Sequence, residues 1–323
     1  MFKKLSIHSK TELVRAFVDF KPDNLIDETS ASPGKKSTFI LKDGRVLDVR
    51  QFGPPEGSPI LFFHSYVWGF RFPKTVISEF EKRGKRLIVV CRPGYAGSTA
   101  TQAKHSSPQQ VAQDMLVVLN RLKIKTCPIL ALSIGMLYAC ALAQLAPNRI
   151  SSLTSAGGCL PMHTRDAVKH MDRNMAAMWL GPRYLPALVP YLARLIQALE
   201  DDKPPETLFV NHVSGSPGDV DLLDALLIGR SDARLQGHHA PARESIQIAQ
   251  NWSNYLPKHD LPMGLVYGDE DMCTPLPIVD DFAKTYFPNA VRRTISGAGR
   301  LAMYRSPDVL LDTLETVDAM RGP

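Results

Sequence analysis

The sequence predicts an α/β fold in which a mostly parallel, doubly wound sheet follows an antiparallel hairpin and carries a helical cap insertion. Three observations support this prediction. Short apolar runs alternate with helical patterns along the chain, as they do in βαβ units. The dipeptide Asp43-Gly44 separates two β-rich runs, which is typical of a hairpin turn. Residues 158–257 lack β-rich runs, and their segments rich in Leu, Met and Ala predict helices.

Six short apolar runs after the hairpin predict the other strands of the sheet. Runs of this kind are typical of parallel strands that helices cover on both faces. The runs are PILFFH (59–64), RLIVVC (86–91), CPILAL (127–132), SLTSAG (152–157), PMGLVY (262–267) and VRRTIS (291–296). The helical insertion falls between the fourth and fifth runs, so it would lie above the carboxyl ends of the strands, where open α/β sheets bind their ligands.

Serine and proline mark the beginnings of two predicted helices. Ser107 and Ser306 are suitable N-caps, and each precedes a proline at the first helical position. A third helix is predicted from Ile134 to about Ala146, where Pro147 ends it. These helices alternate with the apolar runs, which supports the doubly wound arrangement.

The length and composition fit one large domain with added segments. The chain has 323 residues, of which 44% are hydrophobic and 22% are charged, close to the averages for globular proteins. We predict an N-terminal extension over residues 1–36, a core over residues 37–157 and 258–323, and a cap over residues 158–257. The extension includes a short amphipathic helix around residues 12–20.

Charge and hydropathy argue against several classes of partner. The net charge of +6 is spread along the chain, whereas nucleic-acid binding usually requires a concentrated basic face. No run approaches the roughly 20 apolar residues of a transmembrane helix, and charges interrupt the N-terminus before it reaches signal-peptide length. The five cysteines are widely spaced, as expected for buried free thiols in a reducing compartment. We therefore expect a cytoplasmic protein without a nucleic-acid partner or a membrane span.

The segment ALSIGMLYA (131–139) carries the most informative motif. Ser133 stands between a predicted strand and a predicted helix, and the small residues Ala131 and Gly135 allow a sharp turn there. This is the pattern of a nucleophile elbow, with alanine in place of the first glycine of Gly-x-Ser-x-Gly. Such a turn lifts the hydroxyl out of the sheet and directs the backbone N–H of Ile134 at an oxyanion. The alternative is a serine that only packs or caps the helix.

The order of the motifs resembles that of the α/β-hydrolase superfamily, from Ser37 to the C-terminus. The hairpin, LFFHSYVWG, RPGYAGST, the elbow and GDEDMCTP follow one another as in that family. The resemblance implies an esterase-like or lipase-like fold with a helical cap, Ser133 as nucleophile, and the backbone N–H of Tyr66 as a second oxyanion donor. His64 and Ser65 occupy the family's His-Gly position, where His64 is expected to hold the loop rather than to carry protons.

The resemblance also implies a catalytic acid in the loop after residues 262–267. Gly268 and Asp271 match the family's Gly-x-x-Asp pattern, so Asp271 is the expected acid of the triad. Asp269 and Glu270 compete for this role from the same loop. The alternative is an acidic turn that is simply solvated.

The histidine of the family's triad is replaced in this sequence. It is expected on the loop after the last strand, where GAGRLAMY places Arg300. A guanidinium stays protonated, so it cannot accept the proton of Ser133. Arg300 could instead pair with Asp271 through two parallel hydrogen bonds and neutralise that carboxylate. Other histidines fit surface or helix positions better than the role of a substitute base: His163, His170, His238, His239 and His259.

Two functions therefore stay open. In the first, the protein is a serine hydrolase of esters or other acyl compounds, with catalysis weakened or lost because Arg300 replaces the histidine. In the second, it is a non-catalytic, small-molecule-binding or regulatory protein that has kept the fold. In both, we expect a mainly apolar ligand with an acyl group, because the cap supplies side chains for an apolar pocket. These are Met171, Met175, Met178, Trp179, Leu180 and Tyr184. No phosphate loop, dinucleotide fingerprint or metal-binding cluster is evident, so we expect no cofactor.

Overall fold

The fold was analysed in a computed structural model, which describes residues 34–100, 106–201, 220–258 and 260–321. The predicted helix around residues 12–20 and His259 lie outside the described residues. The described residues belong to one compact unit that begins at Ala31.

The described residues form an eight-stranded sheet with the order β1-β2-β4-β3-β5-β6-β7-β8. Its strands are β1 (Lys35–Ile40), β2 (Val46–Phe52), β3 (Ser58–Phe63), β4 (Lys85–Val90), β5 (Cys127–Leu132), β6 (Ile150–Ala156), β7 (Met263–Gly268) and β8 (Val291–Ile295). Strand β2 pairs antiparallel with β1 and β4, and the remaining neighbours pair parallel. The predicted mostly parallel sheet and its N-terminal hairpin are therefore confirmed. Strand β1 begins at Lys35, two residues before the predicted start of the core at Ser37.

Helices follow or connect most of these strands. They are α1 (Lys74–Lys82), α2 (Pro108–Arg121), α3 (Gly135–Leu145), α4 (Arg173–Tyr184), α5 (Val189–Asp201), α6 (Val220–Ala233), α7 (His239–Ile248), α8 (Leu276–Tyr286), α9 (Ala302–Arg305) and α10 (Pro307–Ala319). Ser107 caps α2 by accepting a hydrogen bond from the Gln110 N–H at 3.2 Å, as its position predicts. Ser306 precedes α10, but its side chain makes no capping hydrogen bond.

The core lies on both faces of the sheet, and β5 shows how the sequence produces this arrangement. Ile129 and Ala131 pack in one buried cluster with α2, α3 and α8, whereas Leu130 and Leu132 pack in another with α1 and α10. Successive side chains of a strand point to opposite faces, so a continuous apolar run supplies both clusters. The strand is thereby held rigidly, and so is the turn that follows it.

The helical insertion consists of α4 to α7, between β6 and β7. Buried ion pairs connect it to the sheet side of the molecule. Glu244 of α7 accepts hydrogen bonds from Arg92 Nε at 2.7 Å and Nη2 at 2.8 Å. Asp232 of α6 accepts hydrogen bonds from Arg50 Nη1 at 2.6 Å and Arg71 Nε at 2.7 Å. These contacts fix α6 and α7 over the carboxyl ends of the strands; the division into a core and a cap domain stays a prediction.

Candidate active site

Ser133 lies in a strained turn between β5 and α3. Its φ of 53° is in the left-handed region, which non-glycine residues rarely adopt, and its side chain is buried. Two residues later, a Cβ added to Gly135 would lie 2.4 Å from the carbonyl oxygen of Phe63 in β3. A glycine is therefore required for α3 to start this close to the sheet. The turn has the strand-turn-helix geometry that the sequence predicts, and the role of Ser133 as a nucleophile stays a prediction.

The hydroxyl of Ser133 has two buried neighbours. Arg300 Nη1 donates to Ser133 Oγ at 3.4 Å, and Cys159 Sγ lies 3.6 Å from the same oxygen. Among the described residues, no imidazole hydrogen-bonds to this hydroxyl. The position that a general base would occupy thus holds a group that donates hydrogen bonds and accepts none.

The guanidinium of Arg300 is held mainly by hydroxyl groups rather than by the carboxylate. Its Nη2 donates to Thr274 Oγ1 at 2.7 Å, whereas its Nε lies 3.6 Å from Asp271 Oδ2, too far for a hydrogen bond. The predicted pair of parallel hydrogen bonds between Arg300 and Asp271 is therefore wrong. Thr274 and Ser133 engage the two terminal nitrogens, which leaves a single ion-pair contact for the carboxylate. The guanidinium carbon also lies 5.6 Å from the centre of the Trp179 ring.

Asp271, rather than its acidic neighbours, faces Arg300. Its Oδ1 accepts hydrogen bonds from the N–H groups of Cys273 at 2.8 Å and Thr274 at 3.1 Å, and its side chain is buried. Asp269 is exposed and accepts hydrogen bonds from Ser296 and Gly297 at the end of β8. Glu270 is also exposed. Asp269 therefore holds the loop after β8, whereas Asp271 lies inside the site.

Arg300 keeps its positive charge inside the protein. Burial lowers the pKa of Arg300, whereas the ionisable groups around it, Cys273 and Asp271 first among them, raise that pKa. The second effect is larger, so the net shift is upward. The side chain is only 5% exposed. A buried, charged and partly unpaired donor therefore lies beside the serine.

The predicted oxyanion donors have no protein acceptor. Within the described ranges, neither the backbone N–H of Ile134 nor that of Tyr66 donates a hydrogen bond to another residue. Tyr66 and Ser133 border the same cavity. The N–H of Tyr66 can therefore bind an oxygen of a ligand in this cavity, whereas Ile134 is not among the lining residues, and the joint action of the two N–H groups as an oxyanion hole stays a prediction.

His64 fixes the loop that carries Tyr66. Its Nδ1–H donates to the carbonyl oxygen of Ser65 at 2.6 Å, and its Nε2 accepts from the N–H of Arg92 at 2.9 Å. Burial and the nearby Arg92 cation hold the pKa of His64 well below its usual value, so the ring is neutral. Both ring nitrogens are occupied, which fits the predicted loop-holding role rather than proton transfer.

A cavity of about 310 Å³ lies over Ser133 and Arg300. Of the six predicted lining residues, Met178 and Trp179 border it. The others do not: Met171 and Met175 pack against the core, Leu180 is buried, and Tyr184 is exposed. The insertion contributes further lining residues that the sequence analysis did not single out, namely Ala193, Ile196, Gln197, Arg230, Arg234, Gly237, Pro241, Ser245 and Ile248.

The candidate substitute histidines do not contact the serine hydroxyl. His238 borders the cavity, and its ring centre lies 4.5 Å from that of His239. Burial and the neighbouring His239 lower the pKa of His238. His163 and His170 lie in the segment before α4. Within the described residues, none of these rings hydrogen-bonds to Ser133.

Sequence reasoning missed Cys159 and Thr274 as members of the site. Cys159 lies three residues after β6, which is next to β5 in the sheet, and its N–H donates to the carbonyl oxygen of Ser133 at 2.9 Å. Thr274 lies three residues after Asp271 in the same loop. Their positions just beyond the ends of β6 and β7 were the signal that could have identified them, because the carboxyl ends of parallel strands share one edge.

The described residues contain neither a metal-binding cluster nor a membrane-spanning helix. In these ranges, no three His, Cys, Asp or Glu side chains lie together as metal ligands. No helix in the same ranges is both long enough and apolar enough to cross a membrane.

Comparison with known proteins places these features in context. The family model described as alpha/beta hydrolase fold matches residues 58–307. No curated protein sequence matches the chain. Among solved structures, an esterase from Exiguobacterium antarcticum is 16% identical with a TM-score of 0.63, covering 88% of this chain and 99% of its own. An epoxide hydrolase from Vigna radiata is 15% identical with a TM-score of 0.62, and the match covers 88% of this chain and 98% of the epoxide hydrolase. A putative aryl esterase from Burkholderia cenocepacia is 17% identical with a TM-score of 0.63, and the match covers 89% of this chain and 98% of the esterase.

Proposed function

The chain belongs to the α/β-hydrolase fold family, and from this premise we propose that it is a non-catalytic member that binds a small molecule in the cavity over Ser133. The ligand is mainly apolar and carries an acyl group. Its apolar part contacts the side chains of the helical insertion, and its oxygen atoms lie near the elbow.

One observation carries this proposal: Arg300 Nη1 donates to Ser133 Oγ at 3.4 Å. A serine hydroxyl is a weak nucleophile unless a base removes its proton during attack. A charged guanidinium cannot take that proton, and its donated hydrogen bond also occupies an oxygen lone pair of the hydroxyl. The site therefore keeps its capacity for binding and loses its capacity for serine-dependent turnover.

A second function, slow hydrolysis of esters, is favoured by the intact elbow. Ser133 has the strained backbone of a nucleophile, and the N–H groups of Ile134 and Tyr66 are free to bind an oxyanion. Enzymes that lack a triad member can retain roughly 10³–10⁴-fold acceleration over water. Such activity would be weak, with Ser133 as a nucleophile that no base activates.

Labelling with a fluorophosphonate probe tests the proposal, because this reagent modifies serines that a base has activated. We expect no labelling of the native protein at Ser133. Arg300→His places an imidazole beside Ser133 and Asp271, and we expect this variant to gain labelling that the Ser133→Ala/Arg300→His double variant lacks. Labelling of the native protein that disappears in Ser133→Ala would instead support the hydrolase.

A further inference from the structure

We propose that the ligand is an organic anion, namely an apolar carboxylate whose charged end binds at Arg300. The inference rests on the proposed function, since it names the ligand of the same cavity. It depends on the charges that border the cavity, on the excess of hydrogen-bond donors there, and on the apolar walls.

The charged groups that border the described part of the cavity are cationic. Arg300 borders the cavity, as do Arg230 and Arg234, which have interactions of their own, and no Asp or Glu of the described residues is among the lining side chains. Asp271 contacts Arg300 but does not border the cavity, and two backbone N–H groups already bind its Oδ1. Because Arg300 borders the cavity and Asp271 does not, a ligand in the cavity meets the cation of this pair and not its carboxylate.

Hydrogen-bond donors that have no acceptor in the protein lie around the cavity. Among the described residues, Trp179 Nε1 is buried without a hydrogen-bond partner and can only donate, whereas Arg300 Nε faces Asp271 Oδ2 at 3.6 Å. The buried hydroxyl of Ser65, which also borders the cavity, has no partner either. The backbone N–H of Tyr66, which borders the cavity, adds another donor. A ligand that matches this set must supply acceptor atoms.

A carboxylate fits this donor set better than a neutral ester does. It has two equivalent oxygens with about four lone-pair sites and a full negative charge, whereas an ester presents one strong acceptor, its carbonyl oxygen. Hydrogen bonds between charged partners are also roughly twice as strong as those between neutral ones. Arg300 therefore selects for the acid over the ester of the same carbon skeleton.

The remaining walls define the body of the ligand. Val67, Met178, Ile196 and Ile248 border the cavity with apolar side chains. At roughly 30 Å³ for a group of the size of a water molecule, a cavity of about 310 Å³ holds about ten non-hydrogen atoms. A straight-chain carboxylate of medium length, such as octanoate, has this size and this polarity.

Binding of octanoate, methyl octanoate and octanol to the full chain tests the proposal, with tryptophan fluorescence and calorimetry as readouts. We expect octanoate to bind about tenfold or more tightly than its methyl ester, because a hydrogen bond between charged partners contributes at least that factor. Arg300→Gln should abolish this preference, because octanoate binding should weaken by about tenfold or more while methyl octanoate loses only a bond to a neutral acceptor. Arg292→Gln is the matched control, because Arg292 is half exposed and pairs with Asp280 on the surface.

A second variant protects the test against misfolding of Arg300→Gln. Trp179→Phe keeps the aromatic ring and removes the Nε1 donor, and we expect it to weaken octanoate binding severalfold, measured by calorimetry. A series of carboxylates from hexanoate to dodecanoate removes the dependence on one chain length. Equal affinity for acid and ester, or no binding of any carboxylate in the series, would overturn the proposal.

The outcomes also separate this proposal from the proposed function. Ser133-dependent hydrolysis of methyl octanoate would overturn the non-catalytic function, even if octanoate were the tighter ligand. Equal binding of acid and ester without hydrolysis would overturn the carboxylate proposal and leave the non-catalytic function standing.

Discussion

Arg300 Nη1 donates a hydrogen bond to Ser133 Oγ across 3.4 Å, in a part of the protein where both side chains are buried. In a serine hydrolase the corresponding hydrogen bond runs in the other direction, from the hydroxyl to the base. The direction is fixed here because a guanidinium has no acceptor. The strand-turn-helix geometry at Ser133 is therefore present, whereas the hydrogen bond at its hydroxyl runs in the opposite direction.

The Arg300–Asp271 contact should be needed for stability. Arg300→Met leaves the buried Asp271 carboxylate without its cation, and we expect the free energy of unfolding to fall by about 3 kcal/mol. Asp271→Asn in the same chain should restore most of this loss, because the amide oxygen still accepts from the N–H groups of Cys273 and Thr274. Urea unfolding of the four proteins gives the coupling energy. If the two substitutions change the free energy of unfolding additively, the Arg300–Asp271 contact does not contribute to stability.

The buried Arg92–Glu244 pair should stabilise the fold far more than a surface pair does. Glu244→Gln leaves the Arg92 charge buried without a counterion, and we expect a loss of about 3–5 kcal/mol. Asp280→Asn breaks a pair with Arg292 in which both side chains are about half exposed, and should cost at most about 1 kcal/mol. Thermal or urea unfolding compares the two variants, and equal losses would contradict the anchoring role of Glu244.

His64 should make the protein less stable in mild acid. Its folded-state pKa is held well below the usual value of about 6.5, so the unfolded state binds one more proton below that pH. The free energy of unfolding should therefore fall as the pH drops below about 6.5, with a slope approaching about 1.4 kcal/mol per pH unit. His64→Gln removes this contribution. Urea unfolding between about pH 7 and about pH 5 tests it, and an unchanged slope in the variant would refute the assignment.

The backbone strain at Ser133 predicts an unusual order of stability. Because φ is 53° there, Ser133→Gly should be more stable than Ser133→Ala by about 1 kcal/mol. At Ser231, in α6, the order should reverse by about the same amount, because glycine weakens a helix relative to alanine. Thermal unfolding of the four variants makes the comparison. The same order at both sites would mean that Ser133 carries no strain.

The sheet could be predicted from local patterns, whereas much of the site could not. Strands such as β5 are continuous apolar runs bounded by turn residues, and the Ala131–Gly135 spacing indicates a sharp turn without any knowledge of distant residues. The Arg300–Thr274 hydrogen bond depends on how two loops meet after β7 and β8, and a pairing of Arg300 with Asp271 alone is chemically just as reasonable. Local sequence does not distinguish these arrangements.

The lining of the cavity was also beyond local prediction. Met171 and Tyr184 lie close in sequence to Met178 and Trp179, yet the first packs on the core and the second is exposed. Which face of a cap helix points to the cavity is set by long-range contacts such as that between Arg92 and Glu244, which are 152 residues apart in the chain.

The rate of ester hydrolysis by the native protein, compared with that of Ser133→Ala, tests the central claim most directly. A short-chain p-nitrophenyl ester is a suitable substrate, because its leaving group makes even weak turnover visible. If Arg300 leaves Ser133 without a base, the two proteins hydrolyse the ester at the same low rate. A native rate that is about 100-fold or more above that of Ser133→Ala, as general base catalysis would give, would contradict the account.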